Sequence, residues 1–368
     1  SLMLIVVMQL AKEVTHKFAA LDSLRGLAAL MVVFQHFWEM NHASDDRLRP
    51  WWFFCAGHEA VIFFFVLSGF VLSNQLRNFK FTNYGQFILK RFFRIYPAYY
   101  VAILISAILL IFIKSYFPSA LNGYGLTSWF YVWSQTAFDK TMILGSLSIL
   151  YHEGNSLDVV TWSLFYEVWL SLVFPFILLV FWRLNFVVNL VATAVLVGLS
   201  YYFWAHGDLL GSSWQSLIYY SWYFLLGLLL FRCHEQLKFL ANPWWLIFGI
   251  LLYFSNFVFF GKISSRLLHE VIIALGSSLI LLNGLYNKGF KGALSWLPCR
   301  FYGKISYSLY LLHLPILYLL SYLLLTHSSV VLVKLMTLVV ATLLASGSYY
   351  CIEIPSINFI KSYHILIS

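Results

Sequence analysis

The chain has 368 residues, 61% of them hydrophobic, 20% aromatic and only 10% charged, with a mean hydropathy of +0.82. A water-soluble domain is about 45–50% apolar and about 25% charged, so a surface this poor in charge needs lipid as its solvent. The net charge of +9 would point to nucleic acid in a soluble chain. Here it concerns which end of a bundle the cations occupy, and no nucleic-acid partner is expected.

At ~20 residues per spanning helix, the apolar runs predict crossings at 21–41, 58–76, 97–113, 161–182, 186–204, 214–231, 243–260, 267–286, 303–325 and 329–350. The expected fold is all-α, a polytopic membrane helix bundle of about ten transmembrane helices forming one domain over 1–368. The opening SLMLIVVMQL has no basic leader and is too short to span. Residues 1–20 therefore read as a peripheral amino-terminal segment rather than a cleavable signal, and 351–368 read as a carboxy-terminal tail. Arg47, Arg49, Lys114, Lys140, Lys262 and Arg266 sort to one side, Lys334 lies inside the last segment, and every other Lys and Arg sorts to the opposite side. The positive-inside rule makes that second side cytoplasmic, and with it both termini.

Trp51 and Trp52, Tyr201 and Tyr202, and Trp244 and Trp245 fall where segments meet water and read as interfacial anchors among membrane lipids. The connection from Lys114 to Val160 is aromatic and carries Gly123, Gly125, Gly145 and Gly154, which fits a short interfacial or re-entrant helix. Cys55, Cys233, Cys299 and Cys351 stand far apart without a CxxC pair and read as core thiols. No histidine spacing matches a metal site such as H-E-x-x-H.

Ionisable groups inside lipid are costly and mark function. The first segment carries Arg25 near its cytoplasmic start and His36 eleven residues on. At 100° per residue that spacing returns to within about 20° of the same face, with about 16 Å between the two along the axis. Asp22, one turn before Arg25, can orient the guanidinium. The geometry suits a long ligand held at its anionic end by Arg25 and presenting its reactive end to His36, a candidate general base. The alternative for His36 is a satisfied interhelical hydrogen bond.

The first inner loop ends in KRFFRIYPAYY, with Arg91 and Arg94 three apart before Pro97. Such a pair can clamp phosphates, or it can set topology and attract anionic lipid. The run TWSLFYEVW places Glu167 within two turns of the outer face, where it holds an acceptor hydroxyl, pairs with His36, or is a buried carboxylate capped by Trp or Tyr. In FFFVLSGFVLS, Ser68 and Gly69 permit close helix approach, and no G-x-S-x-G elbow makes Ser68 a nucleophile. In GKISYSLYLLHLP, His313 follows Tyr310 by one turn, as a ligand-facing group or a bundle hydrogen bond. Glu353 and Pro355 read as a stop signal, with Glu353 able to pair with a loop arginine.

LDSLRGLAALMVVFQHF, FFFVLSGFVLS, KRFFRIYPAYY, WSLFYE and GKISYSLYLLHLPI, in this order, resemble acyltransferase family 3, bacterial membrane enzymes that O-acetylate surface polysaccharides and related acceptors. The resemblance implies transfer of an acyl group from cytoplasmic acyl-CoA, most simply acetyl-CoA. The acceptor would be a hydroxyl of a cell-surface or lipid-linked glycan, such as lipopolysaccharide O-antigen, outside the bacterial inner membrane. The family's Arg-x10-His motif falls on Arg25 and His36, its Arg-x-x-Arg motif on Arg91 and Arg94, and its W-S-L-x-x-E motif runs from Trp162 to Glu167. It thus implies His36 and Glu167 as catalytic groups and Arg25, Arg91 and Arg94 as donor-binding groups. Asp22, Ser68, Trp162, Tyr310 and His313 support them, and no metal or permanently bound cofactor is required. The extra carboxy-terminal hydrolase-like domain of some relatives has no counterpart here, so the chemistry is expected within the membrane. Residues 41–57 and 114–160 match no shared motif and are expected to set acceptor choice. A transporter or flippase for a lipid-linked glycan is the second class that uses such charges, but the matched, Gly/Pro-broken inverted repeats of transporters are not evident.

Overall fold

The computed structural model describes residues 2–41, 53–117, 121, 124–135, 140–149, 157–206, 213–258 and 266–367, and among them the chain is helix and turn without strands. The helices are α1 (Leu2–Glu39), α2 (Gly57–Gln75), α3 (Tyr84–Tyr116), α4 (Ser128–Gln135), α5 (Lys140–Leu147), α6 (Thr161–Arg183), α7 (Phe186–Ala205), α8 (Ser213–Cys233), α9 (Pro243–Tyr253), α10 (Ser255–Val258), α11 (Arg266–Tyr286), α12 (Lys288–Leu294), α13 (Leu297–Leu324), α14 (Val330–Ser348) and α15 (Ile354–Ile367). Eight of them, α2, α3, α6, α7, α8, α11, α13 and α14, are long and apolar enough to cross a membrane. The other two expected crossings fall on the second half of α1, which carries Asp22, Arg25 and Glu39, and on 243–260, which divides into α9 and α10. At 1.5 Å per residue α9 is about 16 Å long, half the ~30 Å hydrocarbon core.

Side chains in the loops start several helices by accepting from first-turn amides, which lack intrahelical partners. Asn185 accepts from the Val188 amide at 2.8 Å, Asn287 from Phe290 at 3.1 Å and Ser329 from Leu332 at 3.3 Å. Asn242 caps α9 in the same way ahead of Pro243 at the first helical position, where a missing N–H costs nothing.

One hydrophobic cluster joins the bundle. α1 packs on α13 and α2, and α2 packs on α8 and α11. Small residues let these backbones touch: a Cβ on Gly26 of α1 would overlap the Gly303 backbone of α13, and one on Gly69 of α2 would overlap the Phe224 carbonyl of α8. With little hydrophobic drive between helices in lipid, such close packing holds them together. α7 and α14 lie at the rim, exposing Val187, Leu190 and Val191 on one and Leu335, Val339 and Leu343 on the other, apolar faces suited to acyl chains.

Both chain-end segments are helical. Backbone helix runs unbroken from Leu2 to Glu39. The expected tail is a π-helical turn at Tyr349–Glu353 leading into α15, which packs on α3 with the Phe359 ring 5.4 Å from Phe93 and Ile360 buried. α4 and α5 occupy part of the stretch where a short interfacial helix was expected. Arg47, Arg49, Trp51, Trp52, Gly123, Gly154 and Lys262 lie outside the described residues, as does most of the expected acceptor-choosing segment 41–57.

Candidate active site

A cavity of about 670 Å³ lies between α2, α3, α6 and α13. Arg25, Lys90, Arg91, Arg94 and Lys361 bring five cations to its lining against two carboxylates, Glu167 and Glu353. Arg25 is held by Asp22 at 2.9 Å, the i,i+3 pair that the sequence spacing describes. Arg91 faces Glu167 at 3.6 Å, and Ser68 donates to the same carboxylate oxygen at 3.2 Å. The Arg91 Nε–H is buried and makes no hydrogen bond among the described residues. An unsatisfied buried donor is costly, and an anionic oxygen in the cavity would relieve it. Glu353 accepts from Ser308, so the residue read as a stop signal forms part of the cavity wall.

Ser163 and Tyr310 also line the cavity. The Tyr310 hydroxyl donates to the Val160 carbonyl at 2.9 Å and shares a hydrogen bond with the Ser163 hydroxyl 2.7 Å away. The Tyr310 ring lies 6.2 Å from that of His313. His36 Nδ1 and His313 Nε2 are 2.8 Å apart, and the His36 ring stacks on Trp129 of α4 at 5.3 Å. His313 is fully buried, whereas the His36 side chain keeps 15% of its surface exposed. Neither imidazole lines the cavity, but Tyr310, which does, packs beside His313.

The structure therefore gathers Arg25, Arg91, Arg94, Ser68, Glu167 and Tyr310 around one cavity and joins His36 to His313 beside it. Trp162 lies apart, in an aromatic wall with Tyr166 and Tyr220. Glu167 is engaged by Arg91 and Ser68 rather than by His36, because its position on α6 faces the basic end of α3. The carboxylate near His36 is Glu39, one turn further along α1, with Oε2 4.0 Å from His36 Nε2 and Oε1 held by Gln35 at 2.7 Å. Glu39 is a site residue that sequence reasoning missed, although its i,i+3 spacing from His36 is a legible signal. Trp129 had no local signal at all. It is brought to His36 by Thr127, whose hydroxyl donates to the Glu39 carbonyl at 2.5 Å.

Cys55 lies near the same end of α1 but is poorly suited to carry an acyl group. Burial pushes its thiol up to about 11, and a thiol without thiolate character is a poor nucleophile. Among the described residues no three His, Cys, Asp or Glu side chains converge as metal ligands would.

Fold and site together describe a multi-pass membrane protein with a basic cavity beside an imidazole pair. The sequence model of the acyltransferase domain of acyltransferase family 3 matches residues 18–351, and the chain belongs to that family. Peptidoglycan O-acetyltransferase OatA of Listeria monocytogenes serovar 1/2a (strain ATCC BAA-679 / EGD-e) is 28% identical to it over 212 residues, which cover 54% of this chain and 29% of OatA. The matched part is thus less than a third of that relative's length. No solved structure matches the chain.

Proposed function

We propose that the protein is a membrane O-acetyltransferase, taking an acetyl group from acetyl-CoA on the cytoplasmic side of the bacterial inner membrane and delivering it to a hydroxyl of a cell-envelope glycan outside. The observation that carries this reading is the continuity of one cavity from Arg25, Arg91 and Arg94 to Tyr310, with His313 and its partner His36 beside it. A CoA thioester is polyanionic at one end and reactive at the other. Guanidinium groups match its phosphates as bidentate donors, and the bundle interior accepts its uncharged pantetheine arm. His36 would act as general base, removing the proton from the acceptor hydroxyl as that oxygen attacks the thioester carbonyl. The name of the OatA relative supports a glycan as the acceptor class.

Calorimetric titration of acetyl-CoA into the full chain in lipid nanodiscs tests the donor half. Wild type is expected to bind, and Arg91→Ala to bind at least ~10-fold more weakly, since a hydrogen bond to a charged group contributes about 1.5–3 kcal/mol. A wild-type protein that ignores acetyl-CoA while moving lipid-linked glycan would be a flippase and would sink the proposal.

A further inference from the structure

Two hydrogen bonds in series determine which nitrogen of His36 carries its proton. His313 Nδ1 lies 3.0 Å from the carbonyl oxygen of Leu309. A carbonyl only accepts, so Nδ1 bears the hydrogen and the neutral ring leaves a lone pair on Nε2. That Nε2 lies 2.8 Å from His36 Nδ1. With the opposite His36 tautomer, two lone pairs would face each other across this distance. His36 Nδ1 therefore donates, and His36 Nε2 is left unprotonated on the side of Glu39. The series ends on the backbone of α13, whose own position is fixed by the close approach of Gly303 to α1.

We infer that His313 is a positioning residue for acyl transfer, holding His36 in the one neutral tautomer whose Nε2 can act as a base. The inference rests on the acetyltransferase reading above. As the hydroxyl oxygen bonds to the acyl carbon, its proton passes to His36 Nε2. Collapse of the tetrahedral adduct breaks the carbon–sulfur bond, and the proton passes from Nε2 to the departing CoA thiolate. His313 stays neutral throughout and supports the transient His36 imidazolium by accepting from its Nδ1–H.

The test uses the full chain in nanodiscs, with nitrogen-15-labelled histidine and acetyl transfer from acetyl-CoA to a peptidoglycan oligosaccharide. The His36 resonances, identified by their loss in His36→Gln, should show the Nδ1–H tautomer. In His313→Phe they should move toward the Nε2–H tautomer, with kcat falling ~100-fold or more and the acetyl-CoA KM staying within about twofold. His313→Gln, whose amide oxygen can still accept from His36, should recover at least ~10-fold of the lost kcat. An Nε2–H tautomer in the wild type, or an unimpaired kcat in His313→Phe, would overturn the inference. Should His313→Phe fail to fold, the wild-type tautomer and the kcat of His313→Gln still decide it. A His36→Ala protein with normal transfer would instead strike down the acetyltransferase mechanism itself. Inactive His36→Ala beside active His313→Phe would remove only the role of His313.

Discussion

Arg91 faces Glu167 through Nη2 at 3.6 Å, and its buried Nε–H makes no hydrogen bond among the described residues. Glu167, in turn, also accepts from Ser68, so the carboxylate fixes the direction in which the guanidinium fork opens. On this account Glu167 serves the donor end. Glu167→Gln should raise the acetyl-CoA KM ~5-fold, the loss of an ion pair of this kind costing up to about 1 kcal/mol, with a smaller effect on kcat. Steady-state kinetics with varied acetyl-CoA separate the two. A fall in kcat at unchanged KM would return Glu167 to the reacting centre. Asp22 and Arg25 were legible as a pair because i,i+3 contacts are written in the local sequence. The partner of His36 was not, since His313 is 277 positions away and only the crossing of α1 with α13 brings the rings together.

That crossing depends on Gly26 and Gly303, where a Cβ on either residue would intrude on the other helix's backbone. Because α1 carries Arg25 and His36 while α13 carries Tyr310 and His313, the same contact sets the spacing of the site. Gly26→Val should lower the thermal stability of the protein in nanodiscs, overpacking costing about 1–3 kcal/mol or more, and should also depress transfer in the fraction that folds. Gly347 of α14 has open space around its Cα, so Gly347→Ala should leave stability unchanged or raise it by about 0.5–1 kcal/mol. Equal melting behaviour for the two variants would contradict the role given to the crossing. The helices themselves were readable, because an apolar run in lipid must satisfy its backbone internally and helix is the local way to do so. The interruption at Phe254 between α9 and α10 carries no Gly or Pro to announce it, and the helical fate of 354–367 depends on packing against α3.

At the scale of the whole molecule, the account requires two chemically different ends. α13 is 28 residues long, about 42 Å at 1.5 Å per residue, so its ends emerge on opposite sides of a ~30 Å core. In a background with the four native cysteines replaced, a thiol at Ser295→Cys should react with a membrane-impermeant maleimide only from the cytoplasm. His327→Cys should react only from outside. Reversed labelling would invert the assignment of the basic cavity to the cytoplasmic face. The orientation tested in this way is the one that summed loop charge predicts. The acceptor is not legible in the sequence, because the connections expected to select it carry no charge or spacing pattern tied to a chemistry.

The most direct measurement reconstitutes the protein in vesicles with its basic end facing the lumen, traps radiolabelled acetyl-CoA inside and supplies a peptidoglycan oligosaccharide outside. Wild type should place label on the external glycan in an amount that grows with time, and His36→Ala, present at equal abundance in the vesicles, should reduce this by ~100-fold or more. Equal labelling by the two proteins, or labelling only when donor and glycan share one compartment, would contradict the account.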